Sequence, residues 1–308
     1  SSVAYPVSLV ITLVLAVWFA LNAANGETHY VFGNMAVIDP MANVLASFCA
    51  LTLFATLVYT RRYLADRDMY AGEFYMFALF TLGGQVVMIT GNNFLVLYLG
   101  LELLSLASYT LVALRRRSNV SSESAMKYFI LGALASGLLL YGMSMLYGAT
   151  GSLELGKVFD AIKNGEINKT ILVFGVVFIV AGLGFKLGVA PFHMWVPDVY
   201  QGSPTAVTLL IAGAPKVAAF AMTFRILVEG LLPLAFDWQN MLIVLAVVSL
   251  AIGNITGVVQ TNFKRLLGYS TVSHMGFLLL GLVSGVSSAK PDLTAQAYSA
   301  SMFYAITY

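Results

Sequence analysis

Apolar stretches long enough to cross a bilayer recur along the whole chain, and they leave it few folds to choose from. A helix needs roughly 20 apolar residues to span the hydrocarbon core, and about ten such stretches can be read. They cover 3–24, 36–60, 74–91, 94–114, 124–147, 170–190 with a continuation to about 200, 205–232, 241–260, 270–287 and a last one from 295. The residues from Thr170 to Phe185 pass without one charged side chain. In lipid every backbone N–H and C=O must find its partner within the protein, so only helices and closed barrels span. Alternation of period two, the mark of a barrel strand, does not appear. The expected fold is therefore all-α, a polytopic membrane helix bundle.

Composition agrees. Of 308 residues 59% are hydrophobic and 10% charged, against about 25% charged in soluble domains; the mean hydropathy is +0.86. The 27 glycines are spread through the spans, as close helix contacts in lipid prefer. A net charge of +2, with no basic tract interleaved with aromatics, argues against nucleic acid. Cys49 is the single cysteine, so an internal disulfide and a cysteine metal cluster are both excluded. It reads as a small buried hydrophobe. The chain opens SSVAYPV without an initiator Met and closes SASMFYAITY inside an apolar run. Residues 1–10 lack the charged start of a signal peptide. The sequence reads as an internal piece of a longer membrane protein.

Loop charges orient the spans. Arg61, Arg62 and Arg67 follow the second span, Arg115, Arg116 and Arg117 the fourth, and Lys264 and Arg265 the eighth. All three loops follow even-numbered spans, and the positive-inside rule puts that side in the cytoplasm. The long opposite loop, 148–169, nearly cancels its charge, with Lys157, Lys163 and Lys169 against Glu154, Asp160 and Glu166. Within it LELGKVFDAI fits a short amphipathic helix on the membrane surface.

Ionisable residues inside spans cost about 2.5–3.5 kcal/mol each on insertion scales and are functional candidates by default. Glu102 lies near the middle of the fourth span; it is either a carboxylic acid kept neutral by burial or a paired, proton-exchanging carboxylate. Lys186 ends the uncharged run, and Pro191 should break its helix five residues later by removing an N–H and clashing with the preceding turn. Such breaks at membrane depth recur at ion sites. Lys216 directly follows Pro215, a second expected helix break that leaves the Ile211 carbonyl free, and two adjacent lysines that cannot both hold a proton comfortably suit a relay; snorkelling to the interface is the plainer alternative. Lys127, one turn into the fifth span, is either a snorkelling lysine or an intermediate stop between the cytoplasm and Glu102. His193 and His274 titrate near neutral pH and are secondary candidates for the proton path, each equally readable as a structural histidine. Asp39 and Asp198 suit capping or interface roles, and Arg225 and Glu229, four apart, suit a helix ion pair. No P-loop, nucleotide-binding glycine motif, haem-ligand pair or metal-ligand cluster appears in the sequence. This chain alone should hydrolyse no ATP, bind no cofactor or metal and carry no electrons.

The segments GFKLGVAPFHMWVPDVYQGSPTAV, LGLELLSLASYTLVAL and QTNFKRLLGYSTVSHMGFLLLGL resemble the antiporter-like membrane-arm subunits of bacterial proton-pumping NADH–quinone oxidoreductase, respiratory complex I. Within that family WVPDVYQGSP looks like the subunit N branch; subunits L and M and the Mrp-type antiporters share the lysine-then-proline core. The resemblance implies about fourteen transmembrane helices with two inverted five-helix repeats, each with a broken helix. On that scheme 1–72 holds N-terminal transmembrane helices, 73–232 the first repeat and 241–308 the truncated start of the second. It implies a proton relay through Glu102, Lys186 and Lys216, entered by way of Lys127, with Glu102 as ion-pair partner of Lys186. The driving energy would come from quinone reduction elsewhere in a complex using NADH, FMN, iron–sulfur clusters and a quinone. The implied neighbours are subunits M, K and J, in the bacterial inner membrane. The rival functions are a stand-alone or Mrp-type Na⁺/H⁺ antiporter and a purely structural membrane spacer.

Overall fold

A computed structural model describes residues 3–67, 69, 72–165, 167–287 and 291–308. Glu166, one of the loop charges named above, lies outside the described residues. Among the described residues nine helices are long and apolar enough to cross a membrane.

Helix α1 (Ala4–Asn25) ends at Gly26, whose φ of 71° forms a left-handed C-cap. A short antiparallel hairpin follows, β1 (His29–Val31) paired with β2 (Ala36–Ile38). Its tip holds Phe32, Gly33 and Asn34 at positive φ. The apolar pattern had placed the second span from 36. The helix α2 (Pro40–Asp66) starts four residues later, because Asp39 caps it by accepting from the Ala42 N–H at 2.7 Å and Pro40 occupies its first turn. Helices α3 (Gly72–Thr90) and α4 (Phe94–Val112) follow. They pack backbone to backbone: a Cβ built on Gly84 would lie 2.5 Å from the Leu104 nitrogen, and one on Gly100 would lie 2.8 Å from that of Met88. Small residues permit this approach in lipid, where dispersion and not the hydrophobic effect joins helices.

Helix α5 (Asn119–Thr150) is longer than its apolar core, and α6 (Leu155–Asn164) is the short amphipathic helix the sequence suggested, burying Leu155 and Val158. Helix α7 (Lys169–Leu187) is interrupted before α8 (Trp195–Gly202). Helices α9 (Thr205–Ala212) and α10 (Ala214–Phe224) are separated at Gly213, and a π-helical turn, Arg225–Gly230, extends α10. The chain finishes with α11 (Ala235–Val258), α12 (Phe263–Ser287) and α13 (Pro291–Thr307). Two compact units result, one of Ser1–Ile130 with Val199–Ala221 and one of Leu131–Asp198 with Met222–Tyr308.

Candidate functional site

In the second unit, α7 does not end where proline chemistry alone would end it. The stop lies at Gly188, three residues before Pro191, with φ 79° and ψ 33°. Its N–H bonds back to the carbonyls of Gly184 and Phe185, and that of Val189 to Gly184, the closed helix end that a left-handed glycine permits. Pro191, expected to make the break, follows it across a cis peptide with Ala190. Two backbone groups of the gap are paired by side chains. The Trp195 indole donates to the Phe185 carbonyl at 2.9 Å, and the Ala190 N–H donates to the Ser249 hydroxyl at 2.8 Å. Lys186 stands in the last turn of α7, partly buried, its ammonium 5.8 Å from the Phe185 ring centre.

The far end of the interruption is clamped as well. Arg265, at the start of α12, donates to Asp198 of α8 at 2.5 Å and to Gln260 at 3.2 Å, so Asp198 is held in an ion pair. His193 lies in the turn before α8 with its ring centre 6.2 Å from that of Tyr269. His274 shares a 2.5 Å hydrogen bond with the Tyr304 hydroxyl and stacks on Tyr308 at 3.8 Å. Arg225, 1% exposed, and Glu229 form the ion pair their spacing suggested, at 2.7 and 3.0 Å.

In the first unit Glu102 and Lys216 stand on elements built around α9, which packs against both α2 and α4. Lys216 is 5% exposed. Pro215 had suggested a proline break on this span too, but it sits in the first turn of α10, where a missing N–H costs nothing. The interruption is Gly213, at ψ −108°. Its space is shared with α2: Thr52 Cγ2 would lie 3.1 Å from a Cβ at Gly213, and the Cys49 thiol faces the Ala214 carbonyl at 3.7 Å. Each lysine thus adjoins a glycine interruption, but at opposite helix ends. Lys186 stands in the last turn of α7, the end whose carbonyls attract a cation. Lys216 stands in the first turn of α10, the end whose N–H groups repel one.

Glu102 has one carboxylate oxygen, Oε1, buried with no hydrogen-bond partner. Lys127 is placed differently from the buried lysines. Its side chain is 46% exposed and pairs at 2.8 Å with Glu123, one turn back on α5. Sequence reasoning passed over Tyr98, Ser105 and Tyr109, which follow Glu102's face of α4 at helical spacing, with both tyrosines in electrostatic reach of its carboxylate. The signal was present in the sequence as a polar stripe within an apolar span; tyrosines there were read as interfacial aromatics.

Interrupted helices carrying lysines within spans long and apolar enough to cross a membrane mark a transporter-like helical membrane protein. The chain belongs to the NADH:quinone oxidoreductase/Mrp antiporter transmembrane family, whose model matches residues 91–308. It is 75% identical over 307 residues to the NADH-quinone oxidoreductase subunit N of Cupriavidus taiwanensis, covering 100% of this chain and 62% of that protein. It is 60% identical over 305 residues to the subunit N of Polaromonas naphthalenivorans, covering 99% and 61%. Among solved structures, a chain of respiratory complex I from Thermus thermophilus with bound aureothin matches with TM-score 0.79 at 29% identity, over 99% of this chain and 64% of that one. A chain of the membrane-bound sulfane sulfur reductase, an archaeal respiratory membrane complex, shares the fold with TM-score 0.83 at 23% identity, over 99% and 63%.

Proposed function

We propose that this chain is part of a proton-translocating, antiporter-like subunit N of a bacterial NADH–quinone oxidoreductase. The observation that carries the reading is the burial of Lys216 beside the Gly213 interruption, in the same unit as a Glu102 oxygen that lacks a partner. A buried lysine and a half-buried carboxylate with an unpartnered oxygen are costly as structural elements and useful as proton-exchanging ones. Glu102, Lys216 and Lys186 each take up and release a proton in this reading, with 73–232 as a first repeat and a second beginning near 241. The identity to subunit N relatives supports membership of the complex. NADH, FMN, iron–sulfur clusters and quinone would then be held by other subunits, among them neighbours of the M, K and J kinds, in the bacterial inner membrane.

The test uses the full-length gene in its own host. Lys186→Met and Lys216→Met are introduced separately, and NADH oxidation and NADH-driven acidification are followed together in inverted membrane vesicles. Loss of both, or of acidification alone, is expected. Intact NADH-linked activities with lowered sodium tolerance would instead identify an Mrp-type Na⁺/H⁺ antiporter. Intact activities and intact sodium tolerance would leave a structural spacer.

A further inference from the structure

The first unit holds a second line of buried polar groups that the lysines do not use. Helix α5 enters the membrane from the cytoplasmic side by the loop charges, and its Ser121, Ser124 and Tyr128 recur at i, i+3 and i+7 on one buried face. Ser121 closes the line at the cytoplasmic end by donating to the Val112 carbonyl at 2.6 Å, the last residue of α4. The Tyr128 ring then meets Tyr109 of α4 edge to face, centres 4.7 Å apart. From Tyr109 the buried face of α4 continues through Ser105, whose hydroxyl donates to the Leu101 carbonyl, to Glu102.

Glu102 Oε1 on this line is buried without a hydrogen-bond partner, and the Tyr109 hydroxyl, on a residue 8% exposed, has beside it Ser105, a hydroxyl that already donates to Leu101. A buried polar group left unmade costs about 1–3 kcal/mol. Phenylalanine would fill the Tyr109 site with the same ring and none of that cost. Polar atoms of this kind are satisfied by water in native proteins. Lys127 lies off the line, exposed and paired with Glu123.

We propose that Ser121, Ser124, Tyr128 and Tyr109 form a hydrated proton inlet from the cytoplasmic surface to Glu102, with Tyr109 as the relay hydroxyl. The inlet rests on the proton-translocating reading above. From Val112 to Glu102 the line descends ten residues, about 15 Å of helix. In each transfer the Tyr109 oxygen accepts one proton from the cytoplasmic side and releases its own O–H proton towards Glu102. The phenol stays neutral, no electron moves, and the carboxylate becomes a carboxylic acid.

The test uses the complete complex in inverted vesicles from its own host, with acidification measured per NADH oxidised and per assembled complex. The variants are Tyr109→Phe, Tyr128→Phe, Glu102→Gln and, as a control, Tyr141→Phe, an exposed tyrosine further along α5. With the inlet impaired, proton uptake becomes rate-limiting and first order in proton concentration. Tyr109→Phe and Tyr128→Phe should therefore each lower acidification by about threefold or more near pH 8, and less near pH 6. The control should stay at wild-type level. If Glu102→Gln lowers acidification but neither tyrosine variant does, or does so equally at all pH, the inlet is wrong and the proton-translocating reading stands. If Glu102→Gln itself leaves acidification intact, that reading falls and takes the inlet with it.

Discussion

The indole N–H of Trp195 donates to the carbonyl of Phe185 across the interruption of α7, at 2.9 Å. One side chain thereby adds a second hydrogen bond to a carbonyl that the Gly188 N–H also reaches, one residue before Lys186. Trp195→Phe keeps an aromatic ring beside Phe185, whose ring centre lies 5.6 Å from that of Trp195 at a 34° tilt, and removes the donor. The loss should be about 0.5–1.5 kcal/mol, the net worth of one hydrogen bond, because the Gly188 N–H still bonds to that carbonyl. A lowered thermal midpoint of the detergent-solubilised protein checks it, and an unchanged midpoint would show that the carbonyl finds another donor.

Gly188 is the residue that stops α7, so a side chain there should matter more than one at Pro191. At φ 79° a Cβ costs about 1–2 kcal/mol. Gly188→Ala should destabilise by that amount, and Gly188→Asn by less, since asparagine tolerates the left-handed region. Equal midpoints for the two variants would argue against this account.

This break shows what a sequence makes legible. The spans, the loop-charge pattern and the amphipathic α6 follow from local periodicity and were readable from the residues alone. The break was foreseen from Pro191, but the chain stops earlier. Glycine conformation is invisible in composition, and the partners that make the stop tolerable, Trp195 and Ser249, sit 10 and 59 residues from the groups they satisfy. Pro215 misled for the opposite reason: proline within a first turn is a start signal, and only the position of Gly213 distinguishes the two cases. At the candidate site the rare charges were easy to find and the hydroxyl line was not. Tyrosine in an apolar span is usually read as an interface aromatic, and the pairing of Tyr109 with Tyr128 exists only once α4 and α5 have packed.

The contact between Gly84 and Gly100 sets the position of Glu102, two residues further along α4. A methyl group added at either glycine would meet backbone atoms at under 3 Å, so Gly84→Ala and Gly100→Ala force the helices apart. Overpacking of a tight interface costs about 1–3 kcal/mol. Both variants should lower the amount of subunit in the membrane, while Gly137→Ala, with open space at its Cβ, should not. Immunoblots of membranes at equal expression would read the difference.

Arg225 and Glu229 stabilise the π-helical turn as a pair, not singly. Arg225 is almost fully enclosed, so Glu229→Leu takes a carboxylate away from a buried guanidinium, a loss of about 3–5 kcal/mol. Removing both charges, as Arg225→Met with Glu229→Leu, should recover much of the loss, because an apolar pair needs no partner. A double-mutant cycle on thermal midpoints measures the coupling. Additive losses would mean that the two side chains act independently.

The placement of the lysines separates their expected roles. Lys216 is buried beside a helix interruption, whereas Lys127 is half exposed and already paired with Glu123 on its own helix. A surface pair of this kind contributes about 0.3–0.5 kcal/mol. Lys127→Met should therefore leave the subunit folded and change NADH-driven acidification by less than about twofold. Lys216→Met removes a buried ionisable group and should abolish most of the acidification if that lysine carries protons. Measured side by side in inverted vesicles, a large loss in both variants would bring Lys127 back onto the path between the cytoplasm and Glu102. A loss confined to Lys127→Met would overturn the assignment of Lys216 altogether.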